Sequence, residues 1–179
     1  MELLDYYDTP GVRMTCHSVK IRNHGVVHRH DIGAVVQHFL DGNLVNRNDI
    51  LIPVPQHTGR AEYTYDIAEA LSYETEAFVA DIVRCVPHKE SYVLKKEGKA
   101  VEVDYYLTDA VPAGNIFLID NVISSGQTIL DIQRILQRKV CPLVYAVDYT
   151  RFSALDRMAE IIPDNLRLHR LSSGSVCIE

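Results

Sequence analysis

The residues best suited to chemistry lie together in Asp120-Asn121-Val-Ile-Ser124-Ser125-Gly126-Gln127-Thr128. The apolar run Asn115-Ile-Phe-Leu-Ile119 before them reads as a buried strand that delivers an acid to its carboxyl end. Ile129, Ile132, Ile135 and Leu136 after them mark an amphipathic helix. Between strand and helix, small hydroxyl side chains and backbone N–H groups open the helix, and such an N-terminus carries unpaired donors and partial positive charge that suit a phosphate. The neighbouring carboxylate suits sugar hydroxyls. Together they describe a site for a phosphorylated sugar, set against the plainer reading of a strand, an Asx turn and an ordinary Ser/Thr helix cap.

The elements that must position this segment follow from the hydrophobic pattern. Asp49-Ile-Leu-Ile-Pro-Val-Pro55 is too short for a helix and closes on prolines, so it reads as a buried strand entering a loop from Gln56 to Glu62. Tyr63, Ile67, Ala70 and Leu71 restore helical spacing, and a strand is expected from about Ala80 to Val86. A polar, Lys-rich stretch from Pro87 to Lys99 follows, with Glu97-Gly98-Lys99 as a hairpin turn, and then an extended Val101 to Leu107. Val140 to Val147 is a further strand. Upstream, Gly11 to Val27 alternates partially and reads as one or two strands ending at His24-Gly25. Asp31 opens a helix carrying Ile32, Val35, Val36, Phe39 and Leu40, with Gly42 and Asn43 as its stop. Strands alternating with helices predict an α/β fold, a mostly parallel twisted sheet flanked by helices, with ligands at the carboxyl ends of the strands.

Composition bounds the rest. With 179 residues, 47% hydrophobic and 23% charged, and no repeat or linker, the chain fits one domain spanning 1–179. No apolar run approaches the ~18 residues of a membrane span, and the N-terminus is acidic where a secretory signal is basic, so a cytoplasmic protein is expected. Cys16, Cys85, Cys141 and Cys177 form no CxxC, which makes a disulfide framework unexpected. The net charge of -6 argues against extended nucleic acid or an anionic membrane as partner, yet leaves room for a local phosphate pocket. His24, His28 and His30 beside Asp31 lack the further ligands of a closed zinc site. Neither Cys85 with His88 nor Cys16 with His17 has a nucleophile-activating context.

The run from Ile116 through Asp120 to Thr128 resembles the phosphoribosyl-pyrophosphate (PRPP) motif of the type I phosphoribosyltransferases, in which apolar residues lead into two adjacent acids and a Thr/Ser-Gly-x-Thr loop. Ile50-Leu-Ile-Pro-Val-Pro55-Gln56-His57-Thr58-Gly59-Arg60 similarly resembles the pyrophosphate loop of the family's competence-protein-like members. The resemblance implies transfer of the phosphoribosyl group of PRPP to a nitrogenous base, with Mg²⁺ as cofactor and pyrophosphate released, in purine or pyrimidine salvage or nucleotide synthesis. It implies that Asp120 and Asn121 hold the ribose hydroxyls, with Asp120 toward the metal, and that Ser124, Ser125, Gly126, Gln127 and Thr128 bind the 5′-phosphate. Pro55, Gln56, His57, Thr58, Gly59 and Arg60 would hold pyrophosphate. The family's flexible loop would be Pro87 to Val103, with His88, Lys89, Lys95, Lys96 and Lys99; Lys95 and Lys96 would act on the reacting charge. The core would span about 31–150, with a base-binding hood from about 1–30 and 148–179, where Asp148, Tyr149 or Arg151 could meet the base. Many relatives pair through helices flanking the sheet, so a homodimer is implied as well.

The chain departs from the family pattern at defined places. Asn121 stands where a second acid is usual and brings hydrogen bonds without charge. Ser124 replaces the acid that contacts the base in 6-oxopurine members, which points away from hypoxanthine and guanine. Ser125 replaces the usual Thr, and Phe117 is a bulky member of the apolar run. Asn121 keeps a second class open: a PRPP- or nucleotide-binding regulatory protein of the same fold without turnover. A structural or assembly protein is the third.

Overall fold

In the computed structural model the described residues are 2–5, 32–33, 36–37, 39–40, 45–89, 102–123, 126–138, 140–147, 168–170 and 176–178. The strands are β1 (Glu2–Asp5), β2 (Asp49–Pro53), β3 (Phe78–Val79), β4 (Val83–Cys85), β5 (Tyr105–Leu107), β6 (Asn115–Ile123), β7 (Cys141–Val147), β8 (Leu168–Arg170) and β9 (Val176–Ile178). The helices with defined ends are α1 (Tyr63–Thr75) and α2 (Gln127–Leu136).

Uninterrupted apolar runs require cover on both faces of a sheet, and these runs receive it. Leu51 and Ile52 of β2, Leu118 and Ile119 of β6, and Leu143 and Val144 of β7 are all fully buried. Ile67 and Leu71 of α1 and Ile129 and Ile132 of α2 close over the same core, joined by Val36 and Phe39 from the helical positions upstream. Each such aliphatic side chain contributes roughly 1.5–3 kcal/mol relative to exposure.

The main sheet runs β3-β2-β6-β7-β1-β9-β8. The strands from β3 to β1 are parallel neighbours, and β9 and β8 continue as an antiparallel ribbon. The expected α/β architecture with a mostly parallel sheet is therefore present. The segments expected to form a hood contribute β1, β8 and β9 to this sheet. Among the described residues no helix is long and apolar enough to cross a membrane.

Two expectations need correction. The strand expected from about Ala80 to Val86 shortens to β4, which pairs antiparallel with β5 in a separate hairpin, while β3, just before that span, joins the main sheet. A tight turn, in which the Ile82 N–H donates to the Ala80 carbonyl, separates the two. The extended stretch from Val101 to Leu107 reduces to β5, paired Val83↔Leu107, Arg84↔Tyr106 and Cys85↔Tyr105. Gly11 to Val27, together with Asp31, Val35, Gly42 and Asn43, lies outside the described residues.

A buried carboxylate ties the central strands together at their amino ends. Asp49, 1% exposed, accepts from the Asn46 N–H (2.9 Å) and Asn46 Nδ2 (2.6 Å) on one oxygen and from Asn115 Nδ2 (3.1 Å) on the other. Removing it strands donors on two segments. Asp49→Ala is expected to lower stability by about 1–3 kcal/mol, read as a lower urea midpoint; an unchanged midpoint would refute this role.

Candidate functional site

The register Asp49↔Asn115 through Pro53↔Ile119 places β2 and β6 side by side, and Ile119↔Leu143 extends the row to β7. Parallel strands in register bring their carboxyl ends to one edge of the sheet. There β2 departs: the Val54 N–H still donates to the Ile119 carbonyl (3.0 Å), after which the chain turns into the loop. β6 continues against β7 through Asp120↔Val144, Val122↔Ala146 and Ile123↔Val147. Asp120 is thus not at the end of its strand, as the sequence implied, but inside β6. It sits half-buried at the step where β2 has left and β7 remains. Long β7 is the physical reason, because it keeps supplying backbone partners beyond Ile119.

The loop after β2 is a built turn. Gly59 N–H donates to the Gln56 carbonyl (2.9 Å) and Gln56 N–H to the Arg60 carbonyl (2.9 Å). Gly59 has φ +99, a conformation L side chains rarely adopt. From the first turn of α1, buried Thr64 donates its hydroxyl to the Val54 carbonyl (2.6 Å) and fixes the root of the loop. Pro55 is buried, Gln56 and His57 are half-buried, and Thr58 and Arg60 are exposed. Thr58 donates to Glu62 Oε1 (3.0 Å). The Gln56 and Gly59 N–H groups, expected to face pyrophosphate, are used inside the turn, so the loop's cationic reach rests on the Arg60 side chain.

At the second loop α2 begins at Gln127, within the Ser124 to Thr128 stretch expected to open it. Gly126, in the left-handed region at φ 73, is the N-cap of α2, and among the described residues no side chain caps the helix. Leu130 N–H donates to the Gly126 carbonyl (3.1 Å) to start the helical ladder. The Ser/Thr cap of the plainer reading is therefore replaced by a glycine cap, and the first turn carries no acid. Both features suit an anion at this terminus. Gln127 Nε2 donates to Asp131 Oδ1 (2.9 Å), which aligns that side chain along the helix.

The β4–β5 hairpin lies against both loops. On one side Cys85 donates its N–H to the Gly59 carbonyl (3.2 Å) and its thiol to the Gln56 carbonyl (3.2 Å), while His88 N–H donates to the His57 carbonyl (2.9 Å). On the other side β5 packs against α2, with Tyr105 as the cross-strand partner of Cys85. Burial pushes the Tyr105 phenol up to about 12; the Thr128 side chain opposes this, and the charges of Asp120, Cys85 and Asp131 add to it. Burial likewise pushes the Cys85 thiol up, with the Gly59 backbone pulling the other way, which agrees with the absence of an activated nucleophile there.

The structure thus brings together Asp120, Thr128 and Tyr105, and links them through Cys85 to the 56–60 loop. Tyr105 was missed in the sequence because its importance comes from hairpin pairing; a register placing it opposite Cys85 is the signal that would have found it. Lys95, Lys96, Ser124, Ser125, Asp148 and Tyr149 lie outside the described residues, and Asn121 is described only as backbone of β6. Among the described residues no group of three or more His, Cys, Asp or Glu side chains is placed to hold a metal ion.

The Tyr105 environment has a measurable consequence. An unfolded phenol ionises near 10, whereas the folded chain holds this proton to about 12. The resulting contribution to stability is complete below pH 10 and is lost as pH rises toward 12. Tyr105→Phe should flatten the loss of stability between pH 10 and 12 in chemical unfolding series. An unaltered slope would show that Tyr105 is not shielded.

No protein-family model matches this chain, and no curated protein matches it.

Proposed function

We propose that the chain is a Mg²⁺-dependent phosphoribosyltransferase of the type I fold, which transfers the 5-phosphoribosyl group of PRPP to a nitrogenous base. One observation carries this reading: two loops suited to anions leave adjacent parallel strands at the same sheet edge, with the half-buried Asp120 carboxylate at the step between them. A ligand with a sugar flanked by two phosphate groups matches that order. Asp120 accepts from the ribose hydroxyls, Gly126 to Thr128 receive the 5′-phosphate, and Arg60 faces the pyrophosphate. The base nitrogen attacks C1 as the bond from C1 to the pyrophosphate oxygen breaks; the electron pair leaves with pyrophosphate, and the base gives up its proton to solvent.

Catalysis here is positioning and electrostatics, so no side chain need act as a strong base. Mg²⁺ commonly binds through one or two carboxylates together with substrate phosphates and waters. Asp120 is a hard oxygen donor of that kind and requires no protein cage around it. When bound, the ion would offset charge on the departing pyrophosphate.

The neutral Asn121 beside Asp120 favours one further reading, a PRPP-binding regulator without turnover. Pyrophosphate release from PRPP and Mg²⁺ across a panel of purine and pyrimidine bases separates the two. Base-dependent release supports the transferase; tight PRPP binding with no release for any base would leave the regulator; no PRPP binding would remove both.

A further inference from the structure

We propose a second ligand site at the amino end of the sheet: a cleft of about 550 Å³, between the 45–48 segment and the end of α1, that takes an α-amino acid with an aromatic side chain. It stands apart from the phosphoribosyl reading, because the two phosphate loops lie at the carboxyl ends of the strands. The 45–48 segment leads directly into β2, and α1 ends just before β3, which runs parallel to β2. Both borders of the cleft therefore lie where the strands start. Its volume falls within the range of small-molecule pockets, about 300–1,000 Å³.

The lining supplies three kinds of contact. Phe39 and Leu71, both buried, give the cleft an apolar floor. Arg47 comes from the 45–48 segment and Glu74 and Glu76 from the end of α1, and all three residues are exposed. Among the described residues none of the three is in an ion pair, although charges of both signs line one cleft. A helix C-terminus carries partial negative charge and favours cations, yet α1 has no basic residue in its last turn and bears acids instead. An ammonium group is what that end lacks, and a carboxylate is the natural partner of the Arg47 fork. A small molecule that meets both, with an apolar body over Phe39 and Leu71, is an α-amino acid; the exposed Tyr73 ring at the rim suits an aromatic side chain. The borders are already fixed. Asn46 donates its N–H (2.9 Å) and Nδ2 (2.6 Å) to Asp49, and its Oδ1 accepts from the Asn48 N–H (3.0 Å). At the end of α1 the Glu76 N–H donates to the Ser72 carbonyl (2.8 Å) and the Ser72 hydroxyl to the Ala77 carbonyl (2.6 Å). A ligand meets a preformed site and loses little affinity to ordering it.

Calorimetric titration of the full chain with L-phenylalanine tests this, alongside 3-phenylpropionate, which lacks the ammonium group, and phenethylamine, which lacks the carboxylate. L-phenylalanine should bind, and each analogue should bind roughly tenfold or more weakly, as the loss of one charge-assisted contact would produce. Arg47→Ala should lower phenylalanine affinity to about that of phenethylamine, without weakening phenethylamine itself. Glu74→Gln combined with Glu76→Gln should lower it to about that of 3-phenylpropionate. Urea midpoints equal to wild type would confirm that these surface variants fold. Three results overturn the inference: no binding of L-phenylalanine at millimolar concentration, equal binding of all three molecules, or equal losses for phenylalanine and phenethylamine in Arg47→Ala. The transferase reading stands or falls separately, on PRPP binding.

Discussion

Replacing Asp120 with alanine is expected to lower PRPP-dependent pyrophosphate release by about 10²-fold or more, with little change in the urea midpoint. The carboxylate lies half-buried where β6 first runs past β2 and is edged by β7 alone, between the two loops. Interactions there gain strength from the reduced dielectric and need no reorganisation during reaction. Stability should be spared because β6 holds this position through backbone bonds to β7. Asp120→Asn retains the shape and most hydrogen-bonding capacity, so a comparable loss in that variant assigns the effect to charge. A second readout comes from Tyr105, whose phenol is pushed up partly by the Asp120 charge. In Asp120→Ala the Tyr105 ionisation should move down from about 12. Ultraviolet titration measures it, with Tyr105→Phe as the difference control among the chain's 10 tyrosines. Unchanged release and unchanged PRPP binding in Asp120→Ala would overturn the assignment of the site.

The hydrophobic pattern carried the sheet and the helices but not the geometry at the sheet edge, and the division has a physical cause. β2 and the first half of β6 were legible because strands covered on both faces are written as unbroken apolar runs. The face of α1 bearing Tyr63, Ile67 and Leu71 was legible from helical spacing, and all three are buried. The end of β6 was hidden because Asp120 and Asn121 look like loop residues; they stay extended only because β7 reaches beside them as far as Val147. The register of β4 on β5, which puts Tyr105 opposite Cys85, was hidden as well, and the turn expected at Glu97-Gly98-Lys99 lies outside the described residues. Register is a pairwise property, so one strand's side-chain types leave it open. The glycine cap of α2 escaped notice for a related reason: Ser124 and Ser125 are favoured cap residues, but the extension of β6 to Ile123 shifts the helix start to Gln127.

Gly59 is where backbone geometry should matter most for the 56–60 loop. Its φ of +99 lies outside what an L residue adopts comfortably, and a Cβ there would come within 2.9 Å of the Cys85 carbonyl oxygen and 3.2 Å of the Pro87 ring. The carbonyl cannot swing aside, because β4 pairs with β5 through Cys85. Gly59→Ala must therefore unwind the turn or push the hairpin away. Either movement breaks the bond from Cys85 N–H to the Gly59 carbonyl and loosens the one from Gly59 N–H to the Gln56 carbonyl. Strain of this kind costs about 1–3 kcal/mol, visible as a lower midpoint in urea unfolding. The functional loss should be larger on one side than the other: pyrophosphate affinity should fall by on the order of tenfold or more, as the loss of a charge-assisted anion contact would produce, while ribose 5-phosphate should bind nearly as in the wild-type chain. That asymmetry separates damage to one loop from general unfolding. Equal losses for both ligands would instead mean that the 56–60 turn supports the whole sheet edge and has no particular bond to pyrophosphate.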